Sequence, residues 1–176
     1  MLGLDRDSVI LCEYNKEWKK EYEIEKENLK GILTGVNYKI EHVGSTSIEG
    51  LSAKPIIDIA IGAEDIDTIL VIAERLENNC YDITNSMDTK GEVFAAKGPN
   101  ENRTHYIHVE LIGSIYWNNH IYFKKYLLDH KELIKEYEKL KKKLSIQYKN
   151  DRKSYTASKN EFISDVLKKA KELYEY

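Results

Sequence analysis

Proline is scarce in this chain. Pro55 and Pro99 are its only two among 176 residues, and with 9 glycines they make no Pro/Gly-rich linker. No repeat or low-complexity tract divides the sequence either, so the expectation is one domain spanning residues 1–176, long enough to bury a proper core. Cysteine is also rare. The two present, Cys12 in "VILCEY" and Cys80 in "CYDIT", have no metal-ligand spacing and read as reduced, buried strand residues. Positive charge is not in excess: 27 Lys+Arg stand against 30 Asp+Glu, a formal charge of −3, which removes the basic footprint of a general nucleic-acid binder. No apolar run approaches the roughly 20 residues of a membrane span. "MLGLDRDS" lacks the apolar core and small-residue cleavage site of a secretory leader. The chain is therefore expected to be cytoplasmic, with no membrane partner.

What is present is ordinary for a globular domain, with 41% hydrophobic and 32% charged residues. Tyrosine is abundant at 13, and its amphipathic ring suits a core or a half-wet cleft. "VILCEY" predicts an opening strand, Val9 to Tyr14. "NKEWKKEYEIEKENLKGILTG" predicts an amphipathic helix with Trp18, Tyr22, Leu29, Ile32 and Leu33 near one face. Asn15 is its N-cap candidate, Gly35 its stop, and its Glu/Lys mixture reads as solvated. Two strands follow, "NYKIEHV" and "PIIDIAIG", then a helix from Asp65 with Ile66, Ile69, Leu70, Ala73 and Leu76 along one stripe. "CYDIT", "EVFAAKG" and "THYIHVELIG" predict three further strands. In the last, Tyr106, His108 and Glu110 share one face while Ile107, Val109 and Leu111 share the other. From about Trp117 the pattern is helical, and Ser158 with Glu161 resembles a capping box for the final helix. The fold class that follows is α+β: a mixed sheet of about five strands with flanking helices and a C-terminal helical segment.

One feature of this plan is unusual. Asp58 is the single charged residue in the apolar strand "PIIDIAIG", and a buried unpaired carboxylate costs several kcal/mol. Lys54 could neutralise it structurally, or Asp58 could face a cleft and bind Mg²⁺ through its oxygens. Upstream, Gly44 permits a close backbone approach, and Ser45, Thr46 and Ser47 add hydroxyl donors that could cradle a phosphate. An ordinary strand-to-helix connection with a Ser/Thr cap accounts for the same residues.

The spacing of a Gly-Ser turn and an acid in the next strand resembles the signature of the nucleotidyltransferase superfamily. More closely, "EHVGSTSIEGLSAKPIIDI" is similar to the GrpB-like family assigned to that fold. The opening "YNKEW", the "HVE" strand, the "FKKYLLDH" helix and "YTASKNEFI" extend the likeness over almost the whole chain. The resemblance implies Mg²⁺- or Mn²⁺-dependent transfer of a nucleotidyl group from an NTP. Gly44, Ser45, Thr46, Ser47 and Lys54 would hold the phosphates. Asp58, Glu110 and His108 would be the catalytic groups, and Asp58, Glu110 and His42 the metal ligands. The alternative is a non-catalytic module that binds a nucleotide or phosphometabolite on the same fold. Nucleic acid is not an expected partner.

Departures from the family pattern bear on this choice. A nucleotidyltransferase carries a second acid two residues after its first, where this chain has Ala60, and two-metal chemistry needs several carboxylates. Lys124 and Lys125 stand where the family form "FRDYL" has Arg and Asp, and lysine is a point charge rather than a fork. Glu41 and His42 lie just ahead of the turn and are candidate contributors. His105 reads as structural, and Arg103 as a solvated loop charge. Tyr155 and Lys159 are candidates to line the cleft, while "EKLKKKL" reads as a solvated helix face.

Overall fold

The computed structural model describes residues 2–85 and 91–174. Helix α1 (Glu17–Ile32) precedes strand β1 (Lys39–Val43), and a single 3-10 turn, Ser45–Ser47, leads towards β2 (Ile57–Ala63). Helix α2 (Ile66–Glu77) is followed by β3 (Asp82–Asn85), β4 (Glu92–Lys97) and β5 (His105–Leu111). Four helices close the chain: α3 (Ile115–Asp129), α4 (Lys131–Gln147), α5 (Arg152–Ala157) and α6 (Asn160–Tyr174). The sheet runs β1-β2-β5-β4-β3, with β2 and β5 parallel and the other pairs antiparallel. The α+β expectation and its five strands hold. No described helix is long and apolar enough to cross a membrane.

Alternation along the strands gives the sheet two different faces. On one, Ile57, Ile59 and Ile61 of β2, Ile107 and Val109 of β5, and Val93 and Ala95 of β4 pack against α1 and α2. Helix α1 contributes Trp18, Tyr22, Leu29 and Leu33, all buried at helical spacing. Lys16, not Asn15, stands at the N-cap, although Asn15 one residue earlier accepts from the Glu17 amide at 3.0 Å; Gly35 follows the helix at φ 79°, as expected for its stop. Glu25 departs from the solvated reading of this helix. It is buried, accepts from the Tyr81 hydroxyl and pairs with Lys97 at 2.5 Å. In α2 the buried stripe is Ile69, Ile72 and Leu76, while Ile66 and Leu70 are exposed. Asp65 caps this helix by accepting from the Thr68 amide at 2.7 Å.

The opposite face carries Asp58, Ala60 and Gly62 of β2 beside Tyr106, His108 and Glu110 of β5. It is covered by α3 and by the helical layer α4–α6, whose own core joins Ile48, Leu51, Tyr126, Leu127, Tyr137, Val166 and Ala170. Three expectations fail at the margins. Val9–Tyr14 is no strand: Cys12 makes one isolated bridge with Ala53, and Val9 packs instead against Leu144 and Tyr155. Cys80 is exposed rather than buried, and turns the chain after α2 at φ 66°. Ser158 closes α5 instead of capping α6, which starts at Asn160.

Gly62 sets how closely α3 seats on this second face. A Cβ there would stand 2.7 Å from Trp117 Cζ3 and 2.8 Å from Ile112 Cγ1. Gly62→Ala is expected to destabilise the fold by about 1–3 kcal/mol through overpacking, read as a lower urea midpoint with an unchanged slope.

Candidate functional site

Strand β1 ends at Val43, directly opposite Asp58, and Gly44 turns the chain away with φ 68° and ψ −173°. That backbone region is essentially open only to glycine. A Cβ on Gly44 would also lie 2.5 Å from Asp58 Oδ2, so the carboxylate rests against the bare backbone of the turn. The residues that follow form a three-residue 3-10 turn and no helix, so no helix dipole stands behind the expected phosphate cradle. Ser47 turns its hydroxyl inward, donating to the Gly44 carbonyl at 2.7 Å, whereas Ser45 and Thr46 line the adjacent cavity.

Asp58 pairs with a histidine. His108 Nε2 lies 3.8 Å from Asp58 Oδ1, and His108 Nδ1 lies 3.0 Å from Glu92 Oε1. Burial alone would push the imidazole pKa down. The Asp58 and Glu92 carboxylates, with Glu110 nearby, overcome that and raise it to about 9. Burial would likewise raise Asp58, but the His108 imidazolium, helped by Lys54 and His120, holds its carboxyl below the usual range. Lys54 forms no ion pair among the described residues, so the structural Lys54–Asp58 pair is not what compensates the strand carboxylate. The Asp58 side chain keeps 31% of its surface open.

That surface faces a cavity of about 460 Å³ between the sheet and the C-terminal helices. Its walls are unusually cationic. Lys54, Lys141, Arg152 and Lys159 all line it, against one carboxylate among the described residues, that of Asp58. Tyr137 of α4 and Tyr155 of α5 also line it, and Arg152 sits 5.4 Å from the centroid of the Tyr106 ring. Burial first, then repulsion from Arg152, depress both Lys54 and Lys159 to about 8. Lys141, buried and donating to the Ser52 carbonyl, is depressed by burial to about 7. The solvated reading of "EKLKKKL" is thus overturned at Lys141. Its spacing from Tyr137 and Leu144 puts it on the buried stripe of α4, a signal already legible in the sequence. Arg152 had no comparable local signal.

The expected residues do not all meet. Asp58 is in register with Tyr106 and Gly62 with Glu110, so the Glu110 backbone lies about 13 Å further along the sheet, and the donor atoms that cluster are those of His108, Glu110 and His120 without Asp58. Asp58 and Glu110 therefore do not share an ion, and His108 stands between them. Glu110's neighbour is His120 of α3, whose Nδ1 is 3.3 Å from its Oε1. His120 was missed; its place one turn beyond buried Trp117, beside cavity-lining Tyr116, Asn119 and Phe123, is the pattern that could have found it. His42 is corrected as a ligand partner of Asp58. It lies on the other sheet face, stacked on Tyr22 at 4.7 Å with Nε2 3.0 Å from Thr46 Oγ1, and burial followed by the Lys124 charge depresses it to about 4. His105 is buried on that same apolar face. Glu41 is exposed. Arg103 is buried and bonded to Asp82, Asn100 and the Gly98 carbonyl, so it is a structural clamp and no solvated charge. Lys124 donates to the His42 carbonyl at 2.7 Å and Lys125 covers the Tyr174 ring, so neither substituted lysine reaches the cavity.

The position of the missing second acid is sealed. Ala60 is fully buried with Val43 and Trp117 in a small apolar cluster. One carboxylate beside an imidazolium is a poor match for a pair of Mg²⁺ or Mn²⁺ ions, which require several oxygen ligands, so these residues do not fit that cofactor.

A family model described as "GrpB protein" matches residues 8–169. The "Glutamate-rich protein GrpB" of Alkalihalophilus pseudofirmus is 39% identical over 171 residues, covering 95% of this chain and 98% of that protein. The crystal structure of conserved protein GrpB from Enterococcus faecalis matches with a TM-score of 0.84 at 31% identity, over 95% of this chain and all of that one (100%). A structure of Cid1, an RNA terminal uridylyl transferase, matches with a TM-score of 0.50 at 12% identity, covering 69% of this chain and 40% of its own. The fold is thus that of the nucleotidyltransferases.

The contact between turn and carboxylate has a direct test. Gly44→Ala is expected to cost about 1–3 kcal/mol in urea unfolding. Part of that loss should be recovered when Asp58→Ala removes the facing carboxylate, a coupling that a double-mutant cycle reads.

Proposed function

The chain belongs to the GrpB family, and we propose that its cavity binds a small molecule carrying a phosphate chain, a nucleoside triphosphate or a related phosphometabolite. The observation that carries this reading is the pair Lys54 and Lys159. Both are half-buried, both line the cavity, and neither has a carboxylate partner among the described residues. Burial and repulsion from Arg152 lower both pKa values to about 8 even against the attraction of Asp58, so a further anion would be favoured beside them. Phosphate oxygens supply the missing anion. Ser45, Tyr137 and Tyr155 are neutral polar residues of the same lining, and the volume falls within the range of small-molecule sites.

Mg²⁺-dependent nucleotidyl transfer is the weaker reading. With Ala60 sealed, Glu110 remote and Asp58 already facing an imidazolium, the residues do not supply the ligands that two-ion displacement uses. Binding without turnover asks only for the cationic wall that is present.

Thermal-shift measurements with ATP or inorganic triphosphate, without divalent ions, should raise Tm. Saturation at about 100 Kd corresponds to about 2.7 kcal/mol of added stability. Lys54→Ala and Lys159→Ala should each diminish the shift, and their combination should abolish it. An unchanged shift in the double variant overturns the reading, as does no shift with any phosphate compound. Pyrophosphate release from NTPs with Mg²⁺ should stay at background; release that disappears in Asp58→Asn would restore the transfer mechanism.

The lysines also set a pH dependence. Both are protonated below about 8, so anion affinity should be highest there and fall as pH rises through that value, opposed only by the upward shift that a bound anion imposes on them. Titration calorimetry across this range checks the sign, and affinity that rises with pH contradicts it.

A further inference from the structure

Glu110 presents a separate problem from the lysine cluster. It is completely buried, and neither carboxylate oxygen has a hydrogen-bond partner among the described residues. The ring nitrogen beside it, His120 Nδ1 at 3.3 Å, is also without a hydrogen bond among the described residues. His108 completes the group, with its ring 4.6 Å from that of His120. One donor atom from each of His108, Glu110 and His120 lies within 4.8 Å of the others, so three ligands converge on a single point.

We propose that His108, Glu110 and His120 bind one divalent ion of the zinc type at the inner end of the cavity. Two imidazoles and a carboxylate form the donor set of open, three-ligand zinc sites and suit late first-row divalent ions. Magnesium, which prefers oxygen ligands throughout, is disfavoured by the same set. Glu92 accepts at His108 Nδ1, 3.0 Å away, and leaves Nε2 as the ring nitrogen available to the ion. A carboxylate behind a ligating histidine is the usual outer support of such sites. Asp58 and Glu110 on either side of His108 make a local field that favours a cation, and the ion takes the place of a ring proton. His108 and His120 both line the cavity, which leaves a coordination position turned towards it for water or an anion. The competing account is a simple Glu110–His120 ion pair. This inference does not rest on phosphate binding, and the readout below involves no phosphate.

The test uses the full chain, stripped with chelator and dialysed. Titration with Co²⁺ should develop visible d–d absorption that saturates at about one ion per chain, and Zn²⁺ should remove it while Mg²⁺ in large excess does not. His120→Ala and Glu110→Gln should abolish the absorption, and Glu92→Gln should weaken Co²⁺ binding by about 10–100-fold. Cys80→Ser should leave it intact, which separates this site from an exposed thiol. Glu110→Gln is buried and can fail to fold, so His120→Ala, on a partly exposed helix position and checked by circular dichroism, decides the matter. Absence of the spectrum in the parent chain, displacement by Mg²⁺, or unchanged binding in His120→Ala overturns the proposal and leaves the ion pair as the account.

Discussion

The carboxylate of Asp58 rests on the bare backbone of Gly44 and faces the imidazole of His108, and the surrounding architecture follows from that contact. An acid in an apolar strand needs a compensating charge. Here a histidine on the neighbouring parallel strand, steadied from behind by Glu92, supplies it. Because the compensation comes from the sheet, Lys54 stays unpaired and turns to the cavity beside Lys159 and Arg152. The carboxylate is thus compensated from the sheet, while the cationic wall of the cavity keeps its charge without an ion pair among the described residues.

The two sheet faces carry different duties because strand side chains alternate. One face is an aliphatic layer sealed by α1 and α2, where His42 and His105 are buried and depressed in pKa by desolvation. The other holds Asp58, His108 and Glu110 at successive positions under α3, and Gly62 allows Trp117 to come down close on it. Trp117 also covers Ala60. The likeness to nucleotidyltransferases is therefore a likeness of fold, with an apolar plug where their second acid would be.

Much of this could be read in advance. The alternation of "THYIHVELIG" separated Tyr106, His108 and Glu110 from Ile107 and Val109, as the structure has it. The stretch from Ile40 to Asp58 located the turn, the acid and Lys54. Misreadings arose where a local pattern had two outcomes. Glu25 and Lys141 look solvated in charge-rich helices, yet each lies on the buried stripe and finds its partner far away, Tyr81 and Lys97 for one, the Ser52 carbonyl for the other. "VILCEY" has strand composition but makes only one isolated bridge, at Cys12, with Val9 and Leu11 packed on the C-terminal helices and Cys12 and Tyr14 on the main core.

The chain's own order of residues determined the class of fold, the sheet face on which each polar group stands, and the need for glycine before an acid-bearing strand. These are consequences of period-two alternation and local backbone sterics, which act between near neighbours. Tertiary structure alone decided which charges meet. It separated Glu110 from Asp58 by parallel register, brought His120 down from α3, sent His42 to the far face, and gathered Lys54 from ahead of β2 with Lys141, Arg152 and Lys159 from the consecutive C-terminal helices and the turn after α5. Coulomb energy depends on distance in space and on burial, and neither quantity is written in the spacing of residues along a chain.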